Sequence, residues 1–176
     1  MNTLIDTYGR VHRNLRVSLT DRCNLRCTYC MPNDFAAWLP SDHQLTTDEL
    51  VRVIDIAVKE GINEVRLTGG EPLLRPDIVE IVSRINAITN APTLTMTTNA
   101  LTLEKVAKPL VDAGLTRINI SLDTLDRDRF KLMTHRDRID DVFAGIKAAQ
   151  AAGIDPIKIN AVLLKGVNAD EAPALL

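Results

Sequence analysis

Three thiols lie within one short stretch, Cys23-Asn24-Leu25-Arg26-Cys27-Thr28-Tyr29-Cys30, and they are all the cysteine in the sequence. Three cannot pair off, and an odd set in one loop argues for a thiolate metal site over a disulfide framework. Zinc would take a fourth protein ligand, and a closed 4Fe-4S cube a fourth thiolate. The histidines, His12, His43 and His135, stand at no ligand spacing from the loop and read as solvated surface residues. A cube held at three corners would leave its fourth iron open to an outside ligand. The competing readings are a structural zinc loop, or three buried cysteines packed as small apolar side chains.

The elements that must position this loop alternate. Short β-rich runs near Asn14 to Thr20, Glu64 to Thr68, Thr93 to Thr98, Arg117 to Leu122 and Ile157 to Leu163 are separated by helical patterns, the signature of βαβ units and a parallel sheet. The first helix opens on a capping box, Thr46 and Glu49, and carries Leu50, Val53, Ile54 and Ala57 on one face. The second has Pro76 in its first turn and Ile78, Ile81, Val82 and Ile85 inward. The third, Leu103 to Ala113, contains Pro109 and should be kinked or shortened. The fourth falls in two pieces, about Asp126 to Met133 and Asp140 to Ala152, and Asn168 to Leu176 reads as the start of another.

Each strand alternates. Leu15, Val17, Val65, Leu67, Leu94, Met96, Ile118, Ile120, Ile157 and Ile159 fall on the face assigned to the helices. The other face carries Arg16, Ser18, Thr20, Arg66, Thr68, Thr95, Thr97, Asn119, Ser121, Asp123, Lys158 and Asn160. A lumen so polar should hold a large polar ligand, and Arg16, Arg66 and Lys158 in it ask for a polyphosphate, since burying unpaired cations is costly. Surface salt bridging and an antiparallel sheet with one wet face are the blander readings.

At 176 residues and 45% hydrophobic content the chain is one domain with a proper core. A net charge of −2 argues against nucleic acid and anionic membranes as partners, and 3% aromatic content against base stacking. The N-terminus lacks a basic flank followed by an apolar run, no stretch is long enough to span a bilayer, and a reducing cytoplasmic location suits the thiolates.

The Cys-x3-Cys-x2-Cys motif with Tyr29 before its last cysteine resembles the signature of the radical S-adenosylmethionine (radical SAM) enzymes. The resemblance implies that Cys23, Cys27 and Cys30 hold a 4Fe-4S cluster whose open iron binds SAM. An electron passed to the sulfonium would then give a 5′-deoxyadenosyl radical that abstracts hydrogen from the substrate. It further implies that Tyr29, Gly69, Gly70, Glu71 and Ser121 bind SAM. Longer runs, among them Leu15 to Cys23, Arg66 to Leu73, Thr97-Thr98-Asn99 and Lys158 to Val162, resemble the GTP 3′,8-cyclases of molybdenum cofactor (molybdopterin) biosynthesis. That likeness runs from about residue 4 to the end and implies that Arg16, Arg66, Thr97 and Lys158 bind GTP. The implied fold is a partial α/β radical SAM barrel of about five parallel strands with helices outside. The implied partners are GTP, a one-electron donor such as a flavodoxin-like protein, and a second subunit in the full-length family.

Two departures from the family stand out. Ala100 occupies a position where glycine is common, and nothing here corresponds to the part of the family that closes the barrel and carries a second three-cysteine 4Fe-4S cluster. The expectation is therefore an N-terminal portion, residues 1 to 176, that alone has weak or no cyclase activity. Competing functions are a radical SAM enzyme acting on another phosphorylated substrate, and a non-catalytic iron-sulfur module.

Overall fold

The computed structural model describes residues 3–31 and 37–175. The chain opens on an antiparallel hairpin, β1 (Leu4–Ile5) and β2 (Val11–His12), which two-residue strands cannot announce through periodicity. Its turn is built by Asp6. The carboxylate accepts the backbone N–H of Tyr8 and of Arg10, both at 2.9 Å, and Nε of Arg10 at 2.6 Å. These donors, the Arg10 N–H foremost, hold its pKa down at about 2.

The strands expected from alternation then follow, interleaved with helices: β3 (Asn14–Ser18), α1 (Thr47–Lys59), β4 (Glu64–Thr68), α2 (Ile78–Asn86), β5 (Thr93–Thr98), α3 (Ala107–Asp112), β6 (Arg117–Ser121), α4 (Arg127–Thr134), α5 (Ile139–Ala151), β7 (Ile157–Asn160) and α6 (Ala172–Leu175). β3 to β7 form one parallel sheet whose spatial order is their sequence order, so β3 and β7 are its edges among the described residues. Helices cover one face, with α1 against α2, α2 against α3 and α3 against α5. None of the described helices is long and apolar enough to cross a membrane.

Beneath those helices Val65, Leu67, Leu94, Met96, Ile118 and Ile120 are buried, meeting Leu50, Ile54, Ile81, Ile85, Leu110 and Val142. Burial of this kind contributes roughly 1.5–3 kcal/mol per large side chain. It fades at the edges, where Leu15 and Val17 are half-buried and Ile159 is exposed.

Several local expectations need correction. Thr46 and Glu49 do form the reciprocal capping box, but Val53 is 49% exposed because α1 turns only its Leu50 and Ile54 row fully inward. Pro76 precedes the N-cap of α2, Asp77, and so lies just outside the helix. Pro109 is the third residue of α3, where its missing N–H would have had no helical partner, so the helix is short rather than kinked. β7 ends at Asn160 because the next backbone donor to bond, Val162 N–H, turns from the ladder to the Asp123 carboxylate at 2.9 Å.

Candidate cluster and nucleotide site

The cysteine loop springs from the C-terminal end of β3 and is hung on the C-terminal end of α4. Helices leave their last carbonyls without intrahelical donors. Here Arg26 N–H donates to Thr134 O at 3.0 Å and Thr28 N–H to Met133 O at 2.9 Å, while His135 closes the helix with a left-handed φ of 54°. Leu25 plugs the loop into the core, and Arg26 bridges back to the carbonyls of Cys23 and Leu25 at 2.7 and 2.8 Å with its guanidinium over the Trp38 ring. Cys30 and Met31 both donate N–H groups to Cys27 O at 3.0 Å. The loop is thus a rigid turn.

Cys23 and Cys27 are half-buried, Cys30 is exposed, and all three line one cavity of about 380 Å³ whose other wall includes Ser18, Thr20, Gly69 and Gly70. Burial raises the Cys23 thiol, and burial followed by the charge of Asp123 pushes Cys27 up to about 11. Without a compensating cation these sulfurs stay protonated. Among the described residues, no three His, Cys, Asp or Glu side chains converge on a single point that could hold one ion. A cube spreads its thiolates over separate corners, so a three-thiol cavity of this size fits it where a mononuclear zinc site does not.

Gly69 and Gly70 give the loop its floor. Gly69 has a φ of +145°, and a Cβ there would lie 2.4 Å from Thr20 O; at Gly70 it would lie 2.3 Å from Arg22 O. The close approach lets Gly70 N–H donate to Thr20 O and Glu71 N–H to Arg22 O, both at 2.7 Å. Glu71 itself is 1% exposed. Its carboxylate accepts Leu73 N–H at 3.0 Å, the Thr98 hydroxyl at 2.6 Å and Asn99 N–H at 2.7 Å. In this structure Glu71 therefore knits β4 to β5 beneath the cavity, and its burial raises its pKa above the usual carboxylate range.

Asn99, so held, donates from Nδ2 to Asn24 Oδ1 at 2.7 Å and points the same amide at Cys23 Sγ, 4.0 Å away. Outside this floor, Arg75 joins Leu19 O, Leu45 O and the Asp77 carboxylate, which its guanidinium holds at a pKa of about 2. Tyr29 and Ser121 come together along a second, narrower hollow beside Cys27 and Asp123. Asp123 and Asn99 fell outside the sequence-derived site; a polar residue at the C-terminal end of a parallel strand is the signal that marks both.

The basic residues lie on the face opposite the helices. Arg16 pairs in register with Arg66, and Asn119 with Lys158. Arg16 and Arg66 border a hollow of about 310 Å³ with Thr95. Thr97 Oγ1 is buried without a hydrogen-bond partner among the described residues. None of the three cations has an ion pair among those residues either. The expected burial is only partial, however: Arg66 is half-buried while Arg16 and Lys158 are exposed, because the described sheet has nothing over this face.

Comparison with known proteins agrees with this geometry. The curated GTP 3′,8-cyclase of Streptomyces coelicolor is 58% identical over 176 residues, covering 99% of this chain and 52% of the relative. That of Listeria monocytogenes is 53% identical over 171 residues, covering 97% and 51%. The chain spans about half the length of the curated relatives it matches. Streptococcus suis SuiB bound to S-adenosylmethionine superposes with a TM-score of 0.72 at 22% identity, over 93% of this chain and 36% of that one. Methylornithine synthase does so at 0.68 and 16%, over 88% and 45%. At these identities the solved structures establish the fold. The superfamily model itself matches from Val17 to the last residue, taking in the end of β3, strands β4 to β7 and the three-cysteine loop at the sheet's mouth: the chain belongs to the radical SAM superfamily.

Proposed function

We propose that residues 1 to 176 are the N-terminal part of a GTP 3′,8-cyclase, the first enzyme of molybdenum cofactor synthesis. It converts GTP to (8S)-3′,8-cyclo-7,8-dihydroguanosine 5′-triphosphate. Membership of the superfamily implies a 4Fe-4S cluster and SAM. The observation that carries the finer reading is the joining of two features on one sheet: three thiols around one cavity, and Arg16, Arg66 and Lys158 on the face beside it without an ion pair among the described residues.

Cys23, Cys27 and Cys30 hold the cluster, which when bound supplies the electron that cleaves SAM to methionine and a 5′-deoxyadenosyl radical. The protein's own work is placement. Gly69, Gly70 and Glu71 serve the amino group of SAM, Glu71 also stiffening the floor, while Ser121 is a further SAM contact and Tyr29 lies near the adenine. Arg16, Arg66 and Lys158 neutralise the triphosphate, and the unpartnered Thr97 hydroxyl takes a hydrogen bond from or to the same substrate. Held so, GTP presents the C3′ hydrogen to the radical, the C3′ centre then attacks C8 of guanine and opens the C8–N7 double bond, and a second electron from the donor with a proton at N7 completes the dihydro product. A flavodoxin-like electron donor, a second subunit and a guanine-contacting second cluster in the remaining half complete the proposal.

Because these cations read phosphate and not base, a different phosphorylated substrate is the competing reading. GTP deuterated at C3′, incubated anaerobically with the reconstituted full-length protein, SAM and dithionite, decides between them. Deuterium in the released 5′-deoxyadenosine is expected. Release without deuterium, unchanged by GTP, would assign the chemistry to another substrate.

A further inference from the structure

Behind Tyr29 lies a buried latch made from residues far apart in sequence. The Tyr29 hydroxyl donates to Asp123 Oδ2 at 2.5 Å, and Val162 N–H, just beyond β7, donates to the other oxygen, Oδ1, at 2.9 Å. Asp123 is 8% exposed, so both oxygens are committed inside the protein. Asn168, fully buried, fastens the assembly: its Nδ2 donates to Asp123 O at 2.6 Å and to Val162 O at 2.9 Å, and its Oδ1 accepts Leu164 N–H at 2.7 Å. Tyr29 is otherwise 44% exposed, and the loop's backbone bonds to α4, at Arg26 and Thr28, both precede it. Its hydroxyl meets the Asp123 carboxylate first, with the Cys27 thiol beside it.

The geometry points to Asp123 as a positioning residue for SAM, one that holds the Tyr29 ring at the nucleoside site and is itself held by the segment after β7 through Asn168. This rests on the radical SAM reading above, which gives Tyr29 its contact with SAM. Asp123 touches no ligand in this account and acts on SAM through Tyr29. It also makes the SAM site depend on the segment after β7, through an aspartate 94 residues in sequence from Tyr29.

The test is a double-mutant cycle on SAM binding to the anaerobically reconstituted full-length protein, read by equilibrium dialysis with labelled SAM. Asp123→Asn keeps the shape but cannot accept from both Tyr29 O–H and Val162 N–H, and Tyr29→Phe removes only the hydroxyl. Each is expected to weaken SAM binding about tenfold, and the double variant to weaken it no further, with bound iron unchanged. Tyr29→Phe leaves the backbone contacts of the latch intact, so it remains informative should Asp123→Asn fold poorly. Losses that multiply to about a hundredfold, or single variants that bind as the wild type does, would overturn the inference alone. A wild type that binds no SAM would overturn both it and the reading on which it rests.

Discussion

The floor of the site and the basic face beside it use polar residues in opposite ways. Under the cysteine loop Glu71 and Asn99, and just outside that floor Arg75 and Asp77, are each tied to two or more partners within the chain. On the open face, Arg16, Arg66 and Lys158 have no anion and Thr97 Oγ1 no partner among the described residues. A polar group satisfied internally stabilises the fold and cannot move toward a ligand; one left unsatisfied is held ready for something that arrives. Rigid placement of the cluster loop and capture of an anionic substrate are thus built from separate residues, and substitutions should separate stability from binding.

The largest expected loss of stability follows Gly70→Ala. The added Cβ would meet the backbone oxygens of Arg22 and Asp21 at 2.3 and 2.5 Å, which cannot rotate away. A destabilisation of about 3 kcal/mol or more in urea titration is expected, together with loss of cluster retention. Next comes Glu71→Gln. Its amide NH2 would face the Asn99 N–H donor in a buried site, costing about 2 kcal/mol, with a further readout in weaker protection of the Asn99 amide from exchange.

Asp77→Asn should cost about 2 kcal/mol at neutral pH, and the pH dependence fixes the cause. The folded pKa lies below the unfolded value, so the stabilisation is present above about pH 4 and is lost as pH falls toward 2. Wild type and variant should therefore converge in stability across that interval. A difference that persists unchanged at pH 2 would detach the effect from the Arg75 pair.

Ala100 marks a smaller adjustment within the floor. It is fully buried with φ at 63°, a left-handed conformation that costs an L-residue roughly 1–2 kcal/mol. Ala100→Gly relieves that strain but removes a buried methyl worth about 0.8 kcal/mol. The net gain expected in thermal unfolding is at most about 1 kcal/mol. Smallest of all on stability is Arg66→Ala, within about 0.5 kcal/mol, yet it should weaken GTP binding by the full-length protein at least tenfold. If Arg66→Ala unfolds the chain while GTP affinity is kept, the division between floor and face is wrong.

Much of this division was legible from residues alone. The thiols expected to act together do line one cavity, β4 and β5 have the bounds that alternation predicts, and Thr46 with Glu49 fixed the start of α1. Local chemistry was enough for each. The hydrogen bonds that bury Glu71 were not legible, because its donors Thr98 and Asn99 come from the next strand, outside any local window. The latch at Asp123 joins Tyr29, Val162 and Asn168 across the chain, which no short window contains. The hairpin escaped notice because its strands are too short to show a period. Arg16 and Lys158 were placed on the correct face, but their exposure depends on what lies over it.

The electron paramagnetic resonance spectrum of the dithionite-reduced, anaerobically reconstituted protein, recorded with and without SAM alongside iron analysis, tests the site most directly. Four irons per chain in residues 1 to 176, and a reduced-cluster signal whose g-values move when SAM is added, are the predicted result. Zinc in place of iron, or a spectrum indifferent to SAM, would contradict a cluster held by Cys23, Cys27 and Cys30 with one corner free.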